Sequence, residues 1–554
     1  MKRLAGAEVF LSGVMCAAVL AACSRTTATY VHNQRKDTLI IVQQHEPMSL
    51  NPALENGNVS MELGLLLFQY LVKFNDRGRL IGDAAITVPT LANGGISRDG
   101  LTVTYYLRPH LRFSDGVPLT ARDCVYSVNV INDPHNNVQS RYGYDDIARA
   151  EAPNDRTLVL HLRRPFAPLL TLVFAPQGFP IFPQHVLAKY PNFNSIPFDE
   201  QPVGSGPYRV TQWLRGDQLR LERNPYYGSG EAKIPYITIR FAADSSTAVN
   251  ELRTGEADML YNDQSPSDFE LLGRMPTIIT TSTPVSGVGS IIFNTQDPLT
   301  SDPRVRRALS MAIDIRSLIA KTYRGAFPSS TAGRGLFIWA YDPRVYTDVP
   351  YDPAGANRLL DQTGWRRGPD GIRHKIVVDT NGRRSDSFLD LLFIIQSNTP
   401  GDAIIGNQVA AYERTVGANV TLKQFEVTQF VAPVNLGGPV YGGKFQMALY
   451  PFTNGDDPDT TDQFACKNVP PNGYNKSRIC DPRIDILLAQ GRTTFDPAKR
   501  KAIYTQLQRI LRTEMPLMLM YQMRQINAYT NQLHGQTTSL SGAFWNTTNW
   551  SLAY

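Results

Sequence analysis

A glycine-rich bend leading into an alternating pattern constrains this chain more than any other stretch. Pro202-Val203-Gly204-Ser205-Gly206-Pro207 runs into Tyr208-Arg209-Val210, then through Arg215-Gly216-Asp217 to Arg223-Asn224-Pro225-Tyr226-Tyr227. Gly204, Gly206 and Pro207 predict a bend that a β-branched or bulky residue would not tolerate. Tyr208 and Val210 alternate with Arg209 and Thr211; Leu219 and Leu221 alternate with Gln218, Arg220 and Glu222. Period-two alternation on both sides of the Arg-Gly-Asp turn predicts a β-hairpin with one buried face. Asn224-Pro225 closes it as a turn.

The hairpin sits in a chain of 554 residues, too long for one core. The formal net charge is +6, and Lys and Arg are scattered without a basic run, so no nucleic-acid partner is expected. No stretch after residue 30 is apolar for the roughly eighteen residues a membrane span needs. The start is different. Lys2 and Arg3 precede a run from Val9 to Ala22 that is apolar or small apart from Ser12, which reads as a secretory signal peptide. Its end, Leu20-Ala21-Ala22-Cys23, resembles a bacterial lipobox. That resemblance implies cleavage before Cys23 and lipidation of this residue, and residues 24–36 are polar and non-periodic, as a tether should be. Cys124 reads as a buried small hydrophobe in a helix. Cys466 and Cys480 lie in a loop-rich segment of an exported chain, where a disulfide is permitted. A metal site there would lack nearby His partners and a second Cys pair.

Along the chain, Leu39-Ile40-Ile41-Val42 predicts a strand covered on both sides. Met61 to Leu71 predicts a helix, and Leu101 to Leu107 a strand. Asp115-Gly116 predicts a tight turn. Thr120 predicts an N-cap with Asp123 three residues on, before a helix whose apolar face carries Cys124, Val125, Val128 and Ile131. Thr157 to Leu162 and Tyr236 to Phe241 read as strands. Asp244 caps a helix stopped by Gly255. Asp302 caps another, with Pro303 at its first position and Val305, Ala308, Leu309 and Ala312 on one face. Ile394 to Asn398, Ile404 to Val416 and Val420 onward predict strand, helix, strand, and hence an α/β lobe.

Three of these segments carry a resemblance. The bend and hairpin at 202–227, the run Leu107-Arg108…Phe113-Ser114-Asp115-Gly116…Thr120-Ala121…Asp123, and Asp302-Pro303-Arg304-Val305-Arg306 resemble motifs of the oligopeptide- and dipeptide-binding proteins. These are solute-binding subunits of ABC importers, extracellular solute-binding protein family 5. The likeness runs from about Leu39 to about Trp550. It implies an α/β, periplasmic-binding-protein-like fold of two hinged lobes with an extra inserted domain. The implied layout is a signal peptide at 1–23, a tether at 24–36, a first lobe at 37–75, 203–290 and 524–554, an inserted domain at 76–202, and a second lobe at 291–523. It implies a monomer, held by its lipid on the outer side of a bacterial membrane, which captures a peptide or other small solute between its lobes for permease subunits. It also implies the disulfide between Cys466 and Cys480, which some dipeptide-binding relatives carry in this region.

Catalytic signatures are missing. There is no GxxxxGK[ST] loop, no GxSxG elbow and no HExxH, so neither an enzyme nor a cofactor or metal is expected. Paired glycosidase carboxylates stay open, and with them a secreted hydrolase. The candidate site is Leu449-Tyr450-Pro451-Phe452-Thr453-Asn454-Gly455-Asp456-Asp457-Pro458-Asp459. In peptide-binding relatives the matching stretch holds an Asp that binds the ligand ammonium; Asn454 occupies that place here. A neutral amide accepts a hydrogen bond but offers no ion pair. Asp456 or Asp457 would then substitute, or else both merely form a turn before Pro458. An oligosaccharide or metal chelate is the alternative ligand. Phe452, Trp339, Tyr441, Phe544 and Trp545 are the aromatic candidates for lining the cleft, each also a candidate core residue.

Overall fold

The computed structural model describes residues 37–55, 58–261, 266–329, 332–378, 384–397, 399, 401–453 and 455–553. The signal peptide, the tether, Cys23 and Asn454 lie outside the described residues. The fold is mixed α/β around a ten-stranded sheet. Its order is Asn419–Phe425, Asp390–Gln396, Met447–Thr453, Ile278–Phe293, Leu517–Thr530, Met259–Leu260, Thr38–Gln43, Tyr236–Phe241, Gln218–Arg223 and Tyr208–Leu214.

Two long strands make this one sheet into two lobes. Ile278–Phe293 and Leu517–Thr530 pair antiparallel from Ile278 against Thr530 as far as Pro284 against Arg524. The ladder then breaks and resumes at Val288 against Gln522. Proline has no N–H to donate, and a bulge twists and bends a strand. On one side of the break the pair lies beside Met259–Leu260 and the Thr38–Gln43 strand; on the other it pairs with Met447–Thr453. Both lobes therefore hang on two strands interrupted at the same level, the geometry of a hinge. The boundaries expected at 290/291 and 523/524 fall inside these strands.

Residues 76–202 carry a three-stranded sheet, Thr102–Tyr106, Thr157–Leu162 and Ile147–Asn154, under the helix Ala121–Asn132. Their apolar side chains, such as Val103, Leu158 and Phe182, join Leu39, Leu219 and Ile237 of the first lobe in one core. The tail returns to that core through Phe544 and Trp550. The second lobe packs apolar layers on both faces of its sheet.

The hairpin forms as expected, but its glycines act through close approach. A Cβ on Gly204 would lie 1.8 Å from the Leu67 carbonyl oxygen, and one on Gly206 2.5 Å from the backbone at Leu66–Phe68. Gly206 N–H donates to that same Leu67 oxygen at 2.9 Å. The helix expected from Met61 to Leu71 accordingly spans Asn58–Leu67, because the bend occupies its C-terminal end. Thr120 N–H donates to Asp123 Oδ2 at 2.8 Å, as a capping pair should. Cys466 and Cys480 are joined by a disulfide.

Candidate functional site

A cavity of about 270 Å³ lies between the lobes. The first lobe and its insert contribute Glu55, Tyr142 and Gln177; the second contributes Asp457, Asp459 and Asp462. Among the described lining residues four are carboxylates and none is Lys or Arg.

Each acid is held differently. Asp457, at the end of the loop that leaves the Met447–Thr453 strand, is met by Arg500 from the first turns of the helix Pro497–Glu514. Two parallel bonds of 2.6 Å join them, and Arg500 Nε donates to the Gly491 carbonyl at 2.7 Å. The pair is buried and bidentate, the strong geometry for a guanidinium and a carboxylate. Asp459 accepts from Tyr142 Oη at 2.9 Å across the cleft and lies 3.3 Å from Arg492 Nε. Burial pushes its carboxyl up, with the neighbouring Asp457 charge adding to this. Among the described residues Glu55 accepts from backbone N–H groups, those of Met48 at 2.7 Å and Ser49 at 3.0 Å. Asp462 is raised by burial. Among the described residues neither Glu55 nor Asp462 has a cation within ion-pair distance. Ala167 N–H donates to the Arg492 carbonyl at 2.7 Å, so the lobes touch directly beside the cavity.

Asp456 does not line this cavity. Its Oδ1 accepts from Ser286 Oγ at 3.0 Å, a residue inside the interrupted stretch of the hinge strand. Gln177 approaches the same carboxyl from the other lobe. Oδ2 has no hydrogen-bond partner among the described residues. Burial pushes this carboxyl up to about 7.

The aromatic candidates are placed elsewhere. Trp339 lies over Arg500, 5.7 Å from ring centroid to guanidinium carbon. Trp545 donates through Nε1 to the Thr537 carbonyl and packs against the first-lobe core, which also buries Phe544. Phe452 and Tyr441 do come together, but around a lysine. Lys476 Nζ lies 4.4 Å from the ring centroid of Tyr450, 5.1 Å from Tyr441, 5.3 Å from Tyr474 and 5.7 Å from Phe452. Burial lowers Lys476 to about 8, and the four ring faces supply cation–π contacts in place of a carboxylate. Of these rings Phe452 is buried and Tyr450 half-buried on Met447–Thr453, whereas Tyr441 and Tyr474 come from outside the strand, with Tyr474 exposed. Tyr142, Glu55, Asp462, Arg492 and Arg500 carry no motif that would single them out; spacing alone gives no signal for them.

Among the described residues no three His, Cys, Asp or Glu side chains are placed to hold a metal ion. No helix among them is long and apolar enough to cross a membrane.

Residues 87–472 match the family model described as bacterial extracellular solute-binding proteins, family 5 Middle. The chain is 27% identical to Protein XP55 of Streptomyces lividans over 96% of this chain and 92% of that protein. It is 28% identical to the glutathione-binding protein GsiB of Escherichia coli O1:K1 / APEC over 79% and 81%. Among solved structures it is similar to NikZ of Campylobacter jejuni in complex with Ni(L-His), with a TM-score of 0.73, 24% identity, and 93% of this chain and 99% of that one covered. It is likewise similar to the oligopeptide-binding protein AppA of Bacillus subtilis in complex with a nonapeptide, with a TM-score of 0.71, 19% identity and the same coverage.

Proposed function

The chain belongs to family 5 of the bacterial extracellular solute-binding proteins, the solute-capturing components of ABC importers, and from that premise we propose that it binds a peptide or peptide-like solute, cationic end first, in the acidic interlobe chamber. The bound form is then delivered to permease subunits. The protein acts as a monomer, without a catalytic step, tethered to the outer face of a bacterial membrane by lipid on Cys23.

One observation carries the ligand reading: Glu55 and Asp462 face the same chamber from opposite lobes, and among the described residues neither has a cation within ion-pair distance, Arg492 and Lys467 acting on Asp462 only from farther away. Closing the lobes brings the two negative charges into a confined space, which is unfavourable until a cation enters. A solute with a positive end is then bound more tightly by the closed form than by the open one. That differential is what drives closure. A primary ammonium suits the site, because it offers three donors to acceptors on both walls.

The test is calorimetric titration with a free peptide and with the same peptide N-acetylated. A hydrogen bond to a charged group contributes about 1.5–3 kcal/mol, so acetylation should weaken binding about tenfold or more. Equal affinities would show that the chamber does not read an ammonium. Binding of only an oligosaccharide or a metal–histidine chelate, run in parallel, would overturn the peptide reading. The anchor is tested separately: Cys23→Ala should leave an unprocessed or soluble form, and unchanged membrane association would refute the lipid.

A further inference from the structure

We propose that a wall built jointly by the two lobes, Tyr142 and Phe166 from one and Asp459 and Arg492 from the other, limits the length of the solute to what the acidic chamber holds. The inference rests on the reading of that chamber given above. A second cavity, of about 360 Å³, lies beyond the wall, edged by Arg164, Lys467 and Arg492 and floored by apolar residues such as Leu488. Tyr142 and Asp459 line the acidic chamber, whereas Phe166 and Arg492 line the second.

The four side chains lock together. The Tyr142 and Phe166 rings meet edge to face with centroids 5.7 Å apart. The Arg492 guanidinium carbon sits 5.1 Å from the Phe166 centroid and 5.6 Å from that of Tyr142. Asp459 Oδ2 accepts from Tyr142 Oη and faces Arg492 Nε. The wall exists only when the lobes meet, since each contributes two of its members. At about 270 Å³ the acidic chamber is slightly below the roughly 300–1,000 Å³ usual for ligand pockets, so it suits a short solute. A longer solute reaching toward the second cavity would have to pass through the wall, separating a largely buried ion pair and the rings beside it. Breaking a buried pair is costly because each charge is left uncompensated.

The experiment is titration of wild type, Tyr142→Ala and Tyr142→Phe with peptides sharing one N-terminal sequence, from dipeptide to hexapeptide. Tyr142 is 37% exposed, so its truncation leaves the core intact. Tyr142→Leu, which removes the same ring and hydroxyl with a smaller loss of volume, replaces Tyr142→Ala should that variant fail to fold. Wild type is expected to favour the shortest peptides by about tenfold or more. Tyr142→Ala should reduce that ratio to about threefold or less, and Tyr142→Phe, which keeps the ring, should largely preserve it. A wild type indifferent to length, or a ratio unchanged in the truncated variant, would overturn the wall while leaving the chamber's role intact. No binding of any peptide by wild type or variant would overturn the chamber reading, and the wall with it.

Discussion

Asp456 and Asp457 are consecutive and both buried, yet the floor of the cleft and the hinge beside it treat them in opposite ways. Asp457 meets Arg500 through two bonds of 2.6 Å. Asp456 meets a serine hydroxyl on the hinge strand and no cation, and burial holds its carboxyl at about 7. Burial penalises a charge unless something opposite in sign replaces the lost water. The first acid is therefore tied into a bidentate pair under the chamber. The second, raised to about 7, touches the interrupted stretch of a hinge strand. A pair of adjacent acids in a loop thus divides into a structural anchor and a proton-sensitive contact, according to what each faces.

The sharpest way to break the contrast is to remove the guanidinium. Arg500→Met leaves Asp457 buried and unpaired, and the expected loss is about 3–5 kcal/mol in denaturant unfolding. Adding Asp457→Asn should recover part of it. A loss below about 1 kcal/mol would place Asp457 in contact with water and erase the difference between the two acids.

A smaller effect of opposite sign is expected from Asp456→Asn. The folded pKa of about 7 lies above the ordinary 3.8, so the folded state holds a proton that the unfolded chain has released. Stability then falls as pH rises from about 4 to about 7 and stays lowered above that. Asp456→Asn lacks this penalty. It should be more stable than wild type at pH 8, on the order of 1–3 kcal/mol, and equal to it near pH 4. Equal stability at both pH values would mean that the carboxyl is solvated after all.

The smallest effect sharpens the same point. Ser286→Ala removes the donor that faces Asp456, and should cost about 1 kcal/mol at pH 8 and less near pH 4, where the carboxyl is protonated. A loss that is independent of pH would show that the serine hydroxyl does not report on the acid's charge.

Much of the fold was legible because its signals are local. The Thr120–Asp123 pair, the Asp244 and Asp302 caps and the hairpin at Tyr208–Arg223 each involve residues a few positions apart or a period of two. The bend at Gly204 was legible as glycine-dependent, although the reason is a backbone contact with Leu67, over a hundred positions earlier. The aromatic candidates lie outside the lining of the acidic chamber for a related reason. An alternating strand marks Phe452 as inward-facing, but whether inward means core or cleft depends on Lys476, which arrives from a later loop.

The elements, their caps and the family's motifs follow from residue order alone, since the interactions that specify them close within a turn or along a strand. The chamber does not. Glu55 and Tyr142 come to face Asp459 and Asp462 only when the hinge strands bring the lobes together. The contrast between Asp456 and Asp457 likewise has no local cause: their partners stand 170 and 43 positions away. A carboxyl's charge is settled by the water it loses and the cation it gains, and both are properties of packing.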